Sequence, residues 1–208
     1  YGRALNTAGE TIAMTVFAPD PAVCDSQCPL ILQGHGYGSS REQSPGYGFP
    51  GQGPYNGGYF YDGQGGAVFS PGMINELVAA GYGVISIDQR GFGESGGQVR
   101  LLDPEFEGEH LLQVLDWAQG ALPWVSTTVD AVTGDTVLDK LGAIGGSYGG
   151  GYQMLLHSID PLQRLDAIVP EITWHDLSYS LAPGGVIKSG WINALIGLGA
   201  AGSGGQVD

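Results

Sequence analysis

The stretch that decides the fold is Gly145-Gly146-Ser147-Tyr148-Gly149, which matches the pattern Gly-x-Ser-x-Gly. It follows the apolar run 141–145 and precedes the segment from Tyr148 to His157, which we predict to be a helix. A serine at such a tight strand-to-helix turn is held in a strained conformation, and the flanking glycines avoid collisions with the neighbouring strand and helix. We interpret the motif as a nucleophile elbow with Ser147 as the nucleophile. The alternative is a plain glycine-rich turn, because the chain contains 38 glycines.

Strand and helix patterns alternate on both sides of this motif. Residues 1–18 have the pattern of a hairpin in which Ile12, Met14 and Val16 share one face. We predict further strands at 29–33, 82–88, 141–145 and 167–170, and helices that open at Ser70-Pro71 and at Asp103-Pro104. This order predicts an α/β fold with a mostly parallel sheet and helices on both faces.

Four quoted motifs together resemble one family. They are the elbow Gly145–Gly150, the loop Asp88-Gln89-Arg90-Gly91-Phe92-Gly93-Glu94-Ser95, and the pairs Asp116-Trp117 and Pro123-Trp124. They resemble the Xaa-Pro dipeptidyl-peptidase and cocaine-esterase-like acyl hydrolases, and the likeness covers roughly residues 5–180, the N-terminal portion of that family. The resemblance implies the α/β-hydrolase fold and acyl transfer through a serine ester, on small esters or short peptides with proline second, with no cofactor.

The resemblance also divides the chain. Residues 1–180 would form the hydrolase core up to its sixth strand, including a Gly- and aromatic-rich loop at 44–66. Residues 181–208 would begin a helical cap or linker, beyond which the family continues through more strands, the catalytic acid and the catalytic His. We interpret the loop at 44–66 as an ordered surface loop, with a binding rim or assembly surface as the alternative.

An oxyanion hole requires donors aimed at the tetrahedral oxygen. The backbone N–H of Tyr148 is the first candidate, because it directly follows the nucleophile. The family resemblance implies a tyrosine hydroxyl as the second donor, and Tyr37 stands at the matching place in Gly34-His35-Gly36-Tyr37-Gly38. The backbone N–H groups of Gly36 and Tyr37, and a purely structural loop, are the alternatives.

The base and the acid are not evident in this chain. In the fold their order is Ser, then Asp or Glu, then His after the last strand. His35, His110, His157 and His175 all have positions that favour a structural role, as do Asp88 and Arg90, while Asp176 is a candidate acid. We therefore expect the base and acid on polypeptide C-terminal to Asp208, in a continuation or in a second chain.

Composition bounds the setting of the protein. A net charge of -14 in 208 residues argues against nucleic-acid binding, and no apolar run is long enough for a membrane span. Cys24 and Cys28 predict a small disulfide loop, with free thiols or a two-ligand metal site as alternatives, and we expect no metal. The disulfide, and a first residue that is Tyr and not Met, favour an extracellular or periplasmic location.

Two function classes follow from these patterns. The favoured hypothesis is a serine hydrolase, either an acyl esterase or an Xaa-Pro peptidase, that acts through Ser147. The alternative is a non-catalytic structural or assembly protein on a hydrolase scaffold, because a fold alone does not define a function. A homo-oligomer is compatible with both hypotheses.

Overall fold

The computed structural model describes residues 2–5, 8–44 and 73–207, with side chains from residue 8 onward. The Ser70-Pro71 helix start and nearly all of the predicted loop at 44–66 lie outside the described residues. The strands are β1 (Gly2–Leu5), β2 (Thr11–Phe17), β3 (Leu30–Gly34), β4 (Gly83–Ile87), β5 (Thr127–Val129), β6 (Thr136–Leu138), β7 (Leu141–Gly146) and β8 (Leu165–Glu171). The helices are α1 (Met73–Ala79), α2 (Glu107–Ala121), α3 (Tyr148–Ile159), α4 (Leu177–Leu181) and α5 (Ser189–Gly202), with a 3₁₀ turn at Pro183–Gly185.

Six strands form one mixed sheet in the order β1-β2-β4-β3-β7-β8. The pairs β4–β3, β3–β7 and β7–β8 are parallel, and the hairpin β1–β2 joins antiparallel to β4. The carboxyl ends of β3, β4, β7 and β8 therefore meet along one edge of the sheet. The structure confirms the predicted α/β-hydrolase architecture and the predicted N-terminal hairpin.

The main core lies between the sheet and the helices α2 and α3. On the sheet side Leu32, Ile85 and Ala143 are fully buried, and on the helix side Leu115 and Leu156 are fully buried. Alternate residues of β2, β3, β4 and β7 belong to this layer, as the period of two in a strand requires. The core anchors β7 and α3, the two elements that flank Ser147.

The opposite face of the central strands carries a buried polar row. The Ser86 hydroxyl donates to Gln33 Oε1, and the Ser86 Oγ accepts the backbone N–H of Glu42 at 2.8 Å. Arg41 is 1% exposed and donates to Thr15 Oγ1 at 3.2 Å. Hydrogen bonds therefore hold Arg41 and Glu42, in the segment after β3, on this face of the sheet.

Two details differ from the sequence-based expectations. Helix α2 begins at Glu107, a turn later than Asp103. Asp103 instead lies in the turn before the helix, where its backbone N–H donates to the Glu107 carboxylate at 3.0 Å. The hairpin β5–β6 was not expected, since its strands are only three residues long. The predicted disulfide between Cys24 and Cys28 is confirmed.

The helix α5 lies in the segment that we predicted to begin a helical cap, residues 181–208. The division of the chain at residue 180 stays a prediction. No helix in the described parts of the chain is long and apolar enough to cross a bilayer.

Candidate functional site

Ser147 occupies the turn between β7 and α3 in a conformation that L-residues rarely adopt. Its backbone angles are φ 55° and ψ −116°, and its side chain is only partly buried. Its N–H donates to the carbonyl oxygen of Glu171 at 2.8 Å, and its own carbonyl accepts from Gly150 and Gly151. The backbone is thus held from both sides in a strained geometry, which is the geometry expected of a nucleophile elbow.

The glycines of the motif are required by close backbone approach. A Cβ at Gly145 would overlap the Gly34 carbonyl oxygen and lie 2.6 Å from the Gly149 oxygen. A Cβ at Gly149 would also overlap the Gly34 oxygen and lie 3.0 Å from the His35 oxygen. The end of β3 therefore lies directly against the elbow, and any side chain at either position would force them apart.

Gln153 fixes the elbow from within α3, and the sequence reasoning did not single it out. This fully buried amide donates to the carbonyl oxygens of Gly145 at 3.1 Å, Gly149 at 2.8 Å and Val169 at 3.2 Å. Its Oε1 accepts the N–H of Val169 at 2.8 Å. One side chain thus joins the end of β7, the first turn of α3 and β8. A glutamine within the predicted helix, four residues after an elbow glycine, is the signal that could have revealed it.

The predicted oxyanion residues meet beside the elbow. Tyr148 is the first residue of α3, where helix N–H groups lack intrahelical acceptors and the helix dipole favours negative charge. The Tyr37 ring makes edge contacts with Tyr148 and Phe92, with centroids 5.3 and 5.2 Å apart. A Cβ at Gly36 would lie 4.0 Å from the Gly146 carbonyl oxygen. The loop after β3 and the N-terminus of α3 therefore border the same space.

Tyr37 is half-buried, and burial raises the pKa of its hydroxyl. A tyrosine that stays protonated retains the O–H that an oxyanion donor needs. The structure brings Tyr37 and Gly36 to the elbow, and which of their groups donates stays a prediction.

His35 has a structural role in the loop after β3. It is fully buried, its Nδ1 donates to the Gly36 carbonyl at 2.8 Å, and its Nε2 accepts the N–H of Gln89 at 3.0 Å. Burial lowers its pKa, which keeps the ring neutral. With both ring nitrogens engaged, His35 is not available as a base.

The other three histidines lie on α2, on α3 and after β8. His110 is buried on α2 and pairs with Glu10 at 3.1 Å, and burial lowers its pKa. His157 and His175 are exposed. Across residues 8–44 and 73–207, no hydrogen bond joins a histidine to the Ser147 hydroxyl.

Asp176 caps the short helix α4. It is exposed, and its carboxylate accepts the N–H of Tyr179 at 2.8 Å. This capping role accounts for its position. Its assignment as the catalytic acid stays a prediction, and no described histidine hydrogen-bonds to it.

The Asp88–Ser95 loop is a structural assembly of charges. Buried Asp88 accepts the backbone N–H groups of Arg41 at 2.6 Å and Glu94 at 2.8 Å, and it pairs with the Arg41 guanidinium. Arg90 makes a bidentate pair with Glu10, at 3.0 and 2.8 Å. These pairs fix the loops around the elbow, which agrees with the structural role expected for Asp88 and Arg90.

Glu171 is a further residue that the sequence did not bring forward. It ends β8 directly beside the elbow, where it pairs in register with Gly146. Its side chain is buried, its Oε2 has no hydrogen-bond partner among the described residues, and burial raises its pKa. An acidic residue at the carboxyl end of a predicted strand was the available signal.

No group of three or more His, Cys, Asp or Glu within the described ranges is arranged to hold a metal ion. The elements around the elbow are the first turn of α3, the loop that carries Tyr37 and the end of β8 at Glu171.

Solved structures share this fold. The chain aligns over 92% of its length with 55% of an acetyl xylan esterase from Paenibacillus sp. R4, with a TM-score of 0.55 and 15% identity. It aligns over 98% of its length with 54% of a hypothetical protein from Pseudomonas aeruginosa, with a TM-score of 0.56 and 18% identity. The ferulic-acid-bound Est1E from Butyrivibrio proteoclasticus aligns with 82% of the chain and 51% of its own length, with a TM-score of 0.51 and 18% identity. At these identities the likeness shows the fold alone.

Sequence comparisons give the family. An uncharacterized 31.7 kDa protein of the traX-finO intergenic region in Escherichia coli is 30% identical over 109 residues, which are 52% of this chain and 33% of that protein. The chain thus matches about a third of the length of this relative. A sequence model of the X-Pro dipeptidyl-peptidase (S15) family matches residues 8–201, nearly the whole chain and all elements around the elbow. The chain therefore belongs to the X-Pro dipeptidyl-peptidase (S15) family.

Proposed function

We propose that the protein is a serine hydrolase that cleaves acyl compounds through an ester formed on Ser147. The observation that carries the proposal is the backbone of Ser147, a non-glycine residue at φ 55° between β7 and the first turn of α3. A strained backbone at a partly buried serine is expected where function and not stability selects the residue. Membership of a hydrolase family supports the same chemistry.

The geometry supports the steps of acyl transfer. The Ser147 hydroxyl attacks the carbonyl carbon of the substrate, and its proton passes to a general base. The carbonyl oxygen becomes an oxyanion, which the N–H of Tyr148 and the Tyr37 side of the loop after β3 would stabilise. The leaving group departs with the proton, and water then hydrolyses the acyl-serine by the same steps.

We propose that the base and acid come from polypeptide C-terminal to this chain. All four histidines are exposed or occupied as described above, and a serine needs a base within about 3 Å. The chain matches about half the length of solved structures that share its fold. The β8 side of the sheet also exposes Val169 and Ile172, to 43% and 73%, as an edge that further chain would cover.

For the substrate, we propose a small ester or a short peptide with proline second. Glu171 favours the peptide, because its Oε2 has no partner among the described residues, and a carboxyl group on the residue in register with Gly146 suits a cationic amino terminus. Burial raises the pKa of the Glu171 carboxyl, and a cation bound beside it would lower that pKa again. The Glu171→Gln variant separates the two classes.

If peptides are bound through Glu171, Glu171→Gln lowers kcat/KM for Ala-Pro-p-nitroanilide at least tenfold and changes short-chain p-nitrophenyl ester turnover less than twofold. Equal losses on both substrates would show that Glu171 supports the elbow and does not bind substrate. No turnover of the peptide by the wild type would leave the ester as the substrate class.

The test of the proposed function is labelling of the native protein with a fluorophosphonate probe, which forms a stable bond with an activated serine. The label should map to Ser147 and disappear in Ser147→Ala, with a loss of turnover of several orders of magnitude. Exposed Ser178 on α4 provides a matched serine control, and Ser178→Ala should leave labelling unchanged. Labelling that survives Ser147→Ala would refute the assignment, and a native sample with neither labelling nor turnover would favour a non-catalytic scaffold.

We further propose an extracytoplasmic location. The Cys24–Cys28 disulfide supports it, because such bonds persist mainly in oxidising compartments.

A further inference from the structure

Helix α5 lies against the loop that carries Tyr37 and Gly36, and the contact is made through glycines. A Cβ added at Gly199 would overlap the Tyr37 hydroxyl oxygen and lie 2.8 Å from both Cε1 and Cζ of the ring. Gly199 is the one buried residue in a helix whose other residues are mostly exposed. The hydroxyl end of Tyr37 therefore abuts the backbone of α5 at a position where a side chain would displace the Tyr37 ring.

A second contact fixes the same loop one residue further on. A Cβ at Gly38 would lie 2.7 Å from the Leu198 carbonyl oxygen, and a Cβ at Gly202 would lie 2.6 Å from the Gly38 carbonyl carbon. The end of α5 is tied to the neighbouring loop as well, because the Val99 N–H donates to the Gln206 carbonyl at 2.8 Å. The helix is thus held against both loops that border the elbow.

The Tyr37 ring has few alternative positions. Phe92 and Tyr148 hold the sides of the ring through edge contacts, and both of these aromatic residues are fully buried. α5 contacts the end of the ring that carries the hydroxyl. A tyrosine that is contacted on two sides and at its tip is already oriented, so its O–H does not have to reorient when the transition state forms.

We propose that Gly199 is a positioning residue that sets the place of the Tyr37 hydroxyl beside the nucleophile, so that α5 takes part in building the oxyanion side of the site. The inference rests on the proposed serine hydrolase function and deepens it. It assigns to α5 a role in the reaction.

Gly197 is a matched control on the same helix. A Cβ at Gly197 meets nothing within 4 Å, so Gly197→Ala and Gly199→Ala bring the same gain in helix propensity and differ only in the contact with Tyr37. A displacement of about 1 Å at a catalytic group can lower a rate about 100-fold. We therefore expect Gly199→Ala to lower the kcat of ester turnover and the rate of fluorophosphonate labelling at least tenfold, with KM little changed, and Gly197→Ala to change both less than twofold.

The Tyr37→Phe background separates positioning from a general loss of structure. Without the hydroxyl, the place of the ring no longer matters for catalysis, so Gly199→Ala should cost less than twofold in that background. Losses that multiply in the double variant would overturn the proposal, and so would a Gly199→Ala variant that behaves like Gly197→Ala.

A measurement independent of activity distinguishes this inference from the proposed function. In the intact protein labelled with ¹³C at tyrosine Cζ, the Tyr37 resonance should move in Gly199→Ala and stay in place in Gly197→Ala. An unmoved resonance in a folded Gly199→Ala variant would refute the positioning role. A wild-type protein that the fluorophosphonate does not label would refute the serine mechanism, while the resonance would still decide whether α5 positions Tyr37.

Discussion

The backbone N–H of Ser147 donates to the carbonyl oxygen of Glu171 at 2.8 Å, so the nucleophile is bound to the end of the neighbouring strand β8. The bond extends the parallel pairing of Gly146 with Glu171 by one step past the end of β7. It places Ser147 and Glu171 beside each other in the backbone, at the carboxyl edge of the sheet. Parallel α/β sheets bind ligands at this edge.

The strained backbone at Ser147 predicts that the serine needed for function lowers the stability of the fold. Because glycine adopts positive φ without a steric cost, Ser147→Gly should unfold at a higher temperature than Ser147→Ala, with a difference of roughly 1 kcal/mol. Both variants should lack fluorophosphonate labelling. Thermal unfolding of the pair checks this, and an alanine variant at least as stable as the glycine variant would contradict the strained geometry.

Gln153 predicts a second effect on the elbow. Gln153→Met keeps the approximate volume but leaves the Val169 N–H and the Gly149 carbonyl without their partner, which should cost roughly 2 to 4 kcal/mol of unfolding free energy. The labelling rate at Ser147 should also fall, because the first turn of α3 loses the hydrogen bond from Gln153 to Gly149.

Gln119 on α2 is a suitable control for this variant. It also bridges a helix to strand backbone, with its Nε2 2.6 Å from the Thr136 carbonyl oxygen and its Oε1 3.1 Å from the Leu138 nitrogen, but at the β5–β6 hairpin. Gln119→Met should cost about 1 kcal/mol and leave labelling unchanged. Equal effects of the two variants on labelling would remove any special role for Gln153.

Glu42 predicts a dependence of stability on pH. It is buried, its Oε2 has no partner among the described residues, and burial raises its pKa to about 7 from the usual 4.5. Because the pKa of Glu42 is raised in the folded state, the stability that this group contributes is fully present below pH 4.5. That contribution is lost as the pH rises through 7. Glu42→Gln should therefore be more stable than the wild type at pH 8, by at most about 3 kcal/mol, and similar to it at pH 4.

Denaturant unfolding of the wild type and Glu42→Gln across this pH range provides the measurement. Glu76→Gln, at an exposed position on α1, is the control, and its stability should follow the wild type at every pH. A difference between Glu42→Gln and the wild type that does not grow with pH would refute the assignment.

The disulfide predicts protection of both cysteines and a measurable contribution to folding. Without reductant, Cys24 and Cys28 should resist alkylation, and reduction should add two hydrogens to the intact mass. The variant with both cysteines changed to serine should lose about 2 kcal/mol, since the closed loop spans a sequence separation of only 4. Alkylation of both cysteines in native, unreduced protein would contradict the bond and weaken the case for an oxidising compartment.

The sequence by itself determined the order of strands and helices, the place of Ser147 between β7 and α3, and the disulfide. These features depend on local patterns: apolar runs, glycines at a tight turn, and two cysteines four positions apart. The hairpin β5–β6 was not predicted, because a strand of three residues is too short to show the alternation of apolar and polar residues.

Only the tertiary structure decided which distant residues serve the elbow. Gln153 faces β8, Glu171 lies in register with Gly146, and Gly199 abuts Tyr37 across 162 positions of sequence. Each of these relations depends on how strands pair and on how closely two backbones approach. The sequence does not show such contacts because the residues involved follow no local period, and their partners are chosen only when the sheet and α5 come together.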